Sequence, residues 1–189
     1  MGSEAGEDTT QSKPAAKVSV LFDADQIAAR VAALAKEIAG GVGGDFLVIS
    51  ILKGSFVFSA DLIRAMHGEG MHPQIDFITL SSYGEATESS GHVEITRDVT
   101  DRIRGRTIVL VDDILESGRT LAFAKTMLFD RAAGEVKVCV FLDKTNKRKV
   151  PIEADFVGFN CPDHFVVGYG LDYAHYYREL PYVGILESN

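Results

Sequence analysis

The chain has 189 residues, 46 % of them hydrophobic and 24 % charged, with a formal net charge of −8. That length suits one domain with a full core. No apolar run reaches the roughly 18 residues that span a bilayer, and no signal-peptide pattern opens the chain, so no membrane partner and a cytoplasmic address are expected. The acidic balance excludes a broad electrostatic footprint for nucleic acid. Cys139 and Cys161 have neither metal-ligand nor redox spacing and read as free thiols.

Residues 1–16, "MGSEAGEDTTQSKPAA", are polar, small and without periodicity, and are expected to be a disordered tail. From Asp23 onward, Ile27, Val31, Leu34 and Ile38 fall on one helical face, with Asp at the start and Gly40-Gly41 at the end. "DFLVISIL" (45–52) is a continuous apolar run rich in β-branched residues, as a strand covered on both faces requires. A helical stripe follows through Phe56, Ala60, Ile63 and Met66, then a strand over 74–83. The Gly, Ser, Thr and Glu-rich stretch 84–92 reads as a mobile loop, and "HVEITRDV" as a half-exposed strand. "RTIVLV" (106–111) is a buried strand, 119–132 an amphipathic helix and "EVKVCVFLD" (135–143) another strand. Three short runs, "ADFVGF", "FVVGYG" and "YVGILE", complete the chain and suggest a small subdomain.

Strands alternating with helices predict an α/β fold with a mostly parallel sheet flanked by helices. Ligands in such sheets lie beyond the carboxyl ends of the strands. Three segments fall there: "LKGS" (52–55), "DDILESGRT" (112–120) and Lys144 after "VCVFLD". In the second, Ser117, Gly118, Arg119 and Thr120 form a turn that enters a helix and offers hydroxyls and free backbone N–H groups to a single phosphate-sized anion. From these residues alone an ordinary capped turn reads equally well, and the spacing of a nucleotide P-loop is missing. Asp112-Asp113 tips the balance, because adjacent carboxylates at a strand end repel and need hydroxyl donors or a cation. Vicinal ribose hydroxyls, or Mg2+ carried by a phosphate ligand, answer that need. Lys53 and Lys144 are weaker signals, since lysines after strands are usually solvated.

"IVLVDDILESGRTL" resembles the phosphoribosyl pyrophosphate signature of the type I phosphoribosyltransferases. "ILKGSFVF", "LSSYG", "FLDKTNKR" and the stretch from "DFVGFNCPDHF" to "YVGILE" narrow the resemblance to the hypoxanthine/guanine branch. It covers the chain from about the first helix to the C-terminus. The resemblance implies a single domain over 17–189, its hood built from the N-terminal segment and the C-terminal region. It implies small-molecule substrates, with a 6-oxopurine taking the phosphoribosyl group from phosphoribosyl pyrophosphate, and a homodimer or homotetramer. By residue, Asp112 and Asp113 would grip the ribose hydroxyls, Ser117 to Thr120 the 5′-phosphate, and Lys53, Gly54 and Arg178 the pyrophosphate, with a cis peptide before the lysine. Ser82 and Tyr83 would open a closing loop. Lys144 would donate to the purine oxo group, Phe165 would stack on the ring, Val166 would meet the base edge and Asp172 would help hold Mg2+. Two positions depart from the pattern: Asp112 stands where glutamate is common, and Glu116 where an aspartate takes the purine N7 proton. Glu116 is therefore expected to be the general base, one methylene longer than usual. Two other readings compete: a nucleotide-sensing RNA-binding regulator on the same fold, disfavoured by the acidic charge, and a transferase preferring xanthine.

Overall fold

A computed structural model describes residues 17–82, 93–100 and 102–187. The polar stretch 1–16, Tyr83 and the 84–92 loop lie outside the described residues.

The chain opens with β1 (Val18–Phe22) and α1 (Ala24–Gly41), followed by β2 (Phe46–Leu52) and α2 (Phe56–Gly68). A reciprocal capping box starts α1: Asp23 Oδ1 accepts from Gln26 N at 2.8 Å, and Gln26 Oε1 accepts from Asp23 N at 2.9 Å. Next come β3 (Gln74–Ser82), β4 (Val93–Arg97), β5 (Thr107–Leu115), α3 (Arg119–Asp130) and β6 (Glu135–Asp143). A 3-10 turn (Thr145–Lys147) leads to β7 (Phe156–Asn160), β8 (Val166–Val167) and β9 (Val183–Leu186).

Six strands form the main sheet in the order β4-β3-β2-β5-β6-β7. Only β4 runs antiparallel to its neighbour. The continuous apolar strands bury both faces, as a parallel sheet between helix layers must. Val109 and Val111 pack with α1 and α2 on one side, while Ile108 and Leu110 pack with α3 on the other. Cys139 and Cys161 are free and buried.

Two boundaries differ from the sequence expectation. β5 does not stop before the aspartates but runs on to Leu115, because β6 continues to pair with it after β2 has ended at Ser50↔Val111. "ADFVGF" does not join the small C-terminal unit; its β7 extends the main sheet parallel to β6. The second sheet is antiparallel and ordered β1-β9-β8, so the first and last strands of the described chain are partners.

A hydroxyl cluster lies beneath the turn that joins β2 to α2. Ser50 Oγ is 2.7 Å from both Ser55 Oγ and Ser59 Oγ, and all three side chains are buried. Ser55 also donates to the Ile51 carbonyl, fixing the height of the intervening turn. Ser50→Ala leaves two buried hydroxyls one partner short, which costs about 1–3 kcal/mol. Urea unfolding should show that loss, and an unchanged midpoint would mean the cluster contributes nothing to stability.

Candidate active site

The carboxyl ends of β2, β5 and β6 converge, and each delivers the segment that follows it. From β2 comes Lys53-Gly54, after a cis Leu52–Lys53 peptide, where the resemblance implies one. Lys53 is exposed, whereas Gly54 lies against Asp113 so closely that any side chain there would overlap the carboxylate. A larger residue at this position would have to displace the Asp113 carboxylate.

From β5 come Asp112 and Asp113, then the turn into α3. Gly118 occupies the cap of that helix with φ +83°, a left-handed conformation that favours glycine. Ser117 Oγ accepts from Arg119 N at 3.3 Å, and the cap itself brings no side-chain oxygen to the first amides. Asp112, Glu116, Ser117, Gly118 and Thr120 line one cavity of about 170 Å3 over the helix N-terminus. Asp112 and the phosphate-suited turn thus share one space, where the first-turn amides of α3 form the positive end of its dipole.

From β6 comes Lys144, almost fully buried, with Nζ 3.5 Å from Glu116 Oε1. The Glu116 side chain itself is 47 % exposed. Arg148 was not singled out by sequence reasoning, yet it ties the two strands together. Its Nη1 donates to the Glu116 carbonyl at 2.9 Å and its Nη2 to the Asp143 carboxylate. Lys149 N and Val150 N both donate to the Ser117 carbonyl, so the basic run "KTNKRK" folds over the turn and is not a free solvated loop.

The C-terminal segment closes the fourth side. Arg178 pairs with Asp172 at 2.6 Å and donates to the Gly170 carbonyl at 2.5 Å. Asp172 Oδ2 accepts from His175 N at 2.8 Å, and the carboxylate is part exposed. Phe165 is 53 % exposed and meets Tyr173 edge-on at 5.5 Å, and Val166 is buried in β8. Ser82 ends β3.

Burial dominates the electrostatics. It raises the Asp112 carboxyl well above its ordinary value of 3.8, and the neighbouring Asp113 charge raises it further. Burial also raises Asp113, against hydrogen bonds with Asp112 and backbone amides and the charge of Arg178, which lower it. Native protein consequently binds more protons than the unfolded chain from the ordinary aspartate range upward, and stability falls as pH rises through that window. Asp112→Asn removes the cost while keeping an oxygen for the Asp113 amide, which lies 3.0 Å from Asp112 Oδ1. The variant should melt about 2–8 °C higher at neutral pH, with the gain vanishing near pH 4. A thermal series across pH checks this, and a destabilised variant at pH 7 would show that the pair is compensated within the fold.

The residues also fit a hard divalent cation. Such an ion commonly shares itself between one or two carboxylates and substrate phosphates while keeping several waters. Asp172 has lone pairs beyond its two partners and is part exposed to solvent.

The phosphoribosyl transferase domain profile matches residues 17–174. The hypoxanthine-guanine phosphoribosyltransferase of Bacillus subtilis is 43 % identical, over 89 % of this chain and 92 % of its own length. The hypoxanthine phosphoribosyltransferase of Escherichia coli K12 is 39 % identical, over 88 % and 94 %. A crystal structure of a hypoxanthine-guanine phosphoribosyltransferase from Bacillus anthracis, 41 % identical, superposes with a TM-score of 0.85 over 90 % of this chain and all of that one. With likeness of that breadth in sequence and in fold, the chain belongs to the phosphoribosyl transferase family and, within it, to the hypoxanthine and hypoxanthine-guanine phosphoribosyltransferases.

Proposed function

We propose that the protein transfers the phosphoribosyl group of phosphoribosyl pyrophosphate to N9 of a 6-oxopurine, hypoxanthine and also guanine, in purine salvage. The observation that carries the site reading is the shared cavity: the buried Asp112 carboxylate, with Asp113 next to it in sequence, and a helix N-terminus face one space. Carboxylates accept from vicinal hydroxyls and the helix end takes a phosphate, so one ribose 5-phosphate satisfies both. In this reading Asp112 and Asp113 hold the 2′ and 3′ hydroxyls, and Ser117, Gly118, Arg119 and Thr120 hold the 5′-phosphate.

The purine is met by a matched pair. The Lys144 ammonium is donor-only and a carboxylate at Glu116 is acceptor-only, and they lie 3.5 Å apart. An oxo oxygen beside an N7–H presents the complementary pattern along one edge of the base. N9 attacks C1 of the ribose, the C1–O bond to pyrophosphate breaks, and the N7 proton passes to Glu116. Phe165 supplies a ring face to the base, and Val166 and Asp172 meet its edge through the backbone.

Lys53, the Gly54 amide and Arg178 receive the departing pyrophosphate. Asp172, together with the substrate's own oxygens, would hold Mg2+, which would supply charge neutralisation at the pyrophosphate. Electrostatic stabilisation of an oxocarbenium-like ribose carries the rate, with no covalent intermediate on the protein. Assembly as a homodimer or homotetramer and a cytoplasmic location belong to the same proposal, resting on the family resemblance.

Steady-state kcat/KM with phosphoribosyl pyrophosphate and Mg2+ tests the reading directly. Hypoxanthine and guanine should be turned over, xanthine at least about tenfold less well. Adenine, whose amino group leaves the Lys144 donor unpaired, should be lower by on the order of 10^3 or more. Absence of pyrophosphate release with every 6-oxopurine would sink the proposal. Glu116→Gln should lower kcat with hypoxanthine by about 10^2–10^4, with Glu116→Asp retaining most of it. Turnover unaffected by the glutamine across pH would show that another group takes the proton.

A further inference from the structure

Residues Gly168, Tyr169 and Gly170 have φ values of +96°, +50° and +99° in succession. The outer two suit glycine, but the centre carries a large side chain in a sparsely populated conformation, which persists only where the surroundings over-determine it. Two contacts do so. The Tyr169 ring is buried against Phe141, centroids 4.8 Å apart, and its hydroxyl donates to Asp61 Oδ2 at 2.7 Å. Asp61 lies on α2, the helix that starts directly after the Lys53-Gly54 turn, and Arg64 of the same helix pairs with it.

The next residue brings this anchor to the site. Gly170 packs on the Gly54 carbonyl so tightly that a side chain there would overlap it. The Gly170 carbonyl also accepts from Arg178, which grips Asp172 with its other nitrogen. A continuous path therefore runs from Asp61 through the Tyr169 hydroxyl to Gly170 and the Arg178–Asp172 pair, with Gly54 in contact midway. We infer that Tyr169 is a positioning residue: anchored on Asp61, its hydroxyl sets the distance between the Lys53-Gly54 turn and the Arg178–Asp172 pair, and so the affinity for the pyrophosphate moiety. The hydroxyl touches no substrate itself; it fixes two grips that come from segments more than a hundred residues apart in sequence.

The inference rests on the proposed phosphoribosyl transfer, and direct binding separates the two. Tyr169→Phe removes the hydroxyl and keeps the ring. In calorimetric titration of pyrophosphate with Mg2+, its Kd should rise roughly five- to tenfold over the unsubstituted protein. The KM for phosphoribosyl pyrophosphate should rise in step, with the KM for hypoxanthine unchanged. Asp61→Asn, which retains an acceptor oxygen, should stay near the unsubstituted protein, whereas Asp61→Ala should match Tyr169→Phe. A lower Tm with unaltered pyrophosphate binding would assign Tyr169 a purely structural role and overturn the inference, as would equal changes in both KM values. Failure of the unsubstituted protein to bind pyrophosphate would overturn both this inference and the proposed function.

Discussion

Two adjacent carboxylates, Asp112 buried and Asp113 partly so, at the point where β5 loses its β2 partner but keeps β6, constrain everything around them. A buried acidic pair is unfavourable on its own, since desolvation and mutual repulsion both oppose ionisation. The sheet can hold it because the strands behind it are apolar on both faces and sealed by helices. That burial is concentrated at one place, the carboxyl end of β5.

The surroundings follow from that choice. Gly54 approaches the Asp113 carboxylate so closely that a side chain would displace it, and Gly170 packs on the Gly54 carbonyl, where the overlap would be with backbone. Arg178 lies near enough to lower the Asp113 carboxyl, yet its hydrogen bonds go to Gly170 and Asp172. The arrangement offers charge complementarity without neutralising the pair outright, which leaves room for a polyanionic substrate.

Much of this was legible in the strands. The apolar runs 45–52, 106–111 and 135–143 could only be covered on both faces, and the structure buries them so. The polar segments at their carboxyl ends had to lie along one edge of a parallel sheet. Other features were hidden because their signal is not local. Arg148 sits in a run of basic residues whose composition suggests solvation; only the closeness of β5 and β6 turns it toward Glu116 and Asp143. β7 resembles its short C-terminal neighbours in composition, and what separates it is a parallel partner in β6. Asp61 and Tyr169 belong to a helix and a turn that give no hint of each other.

The sequence by itself determined the α/β class, the buried strands and the residue types that stand at the strand ends, because periodicity and strand-end chemistry act over a few residues. Only the tertiary structure decided that β5 continues past its aspartates, that Lys144 stands beside Glu116, and that Tyr169 fastens the C-terminal turn to α2. Those outcomes depend on which strands become neighbours and how closely backbones without side chains can meet, and such long-range contacts leave no periodic trace in the chain.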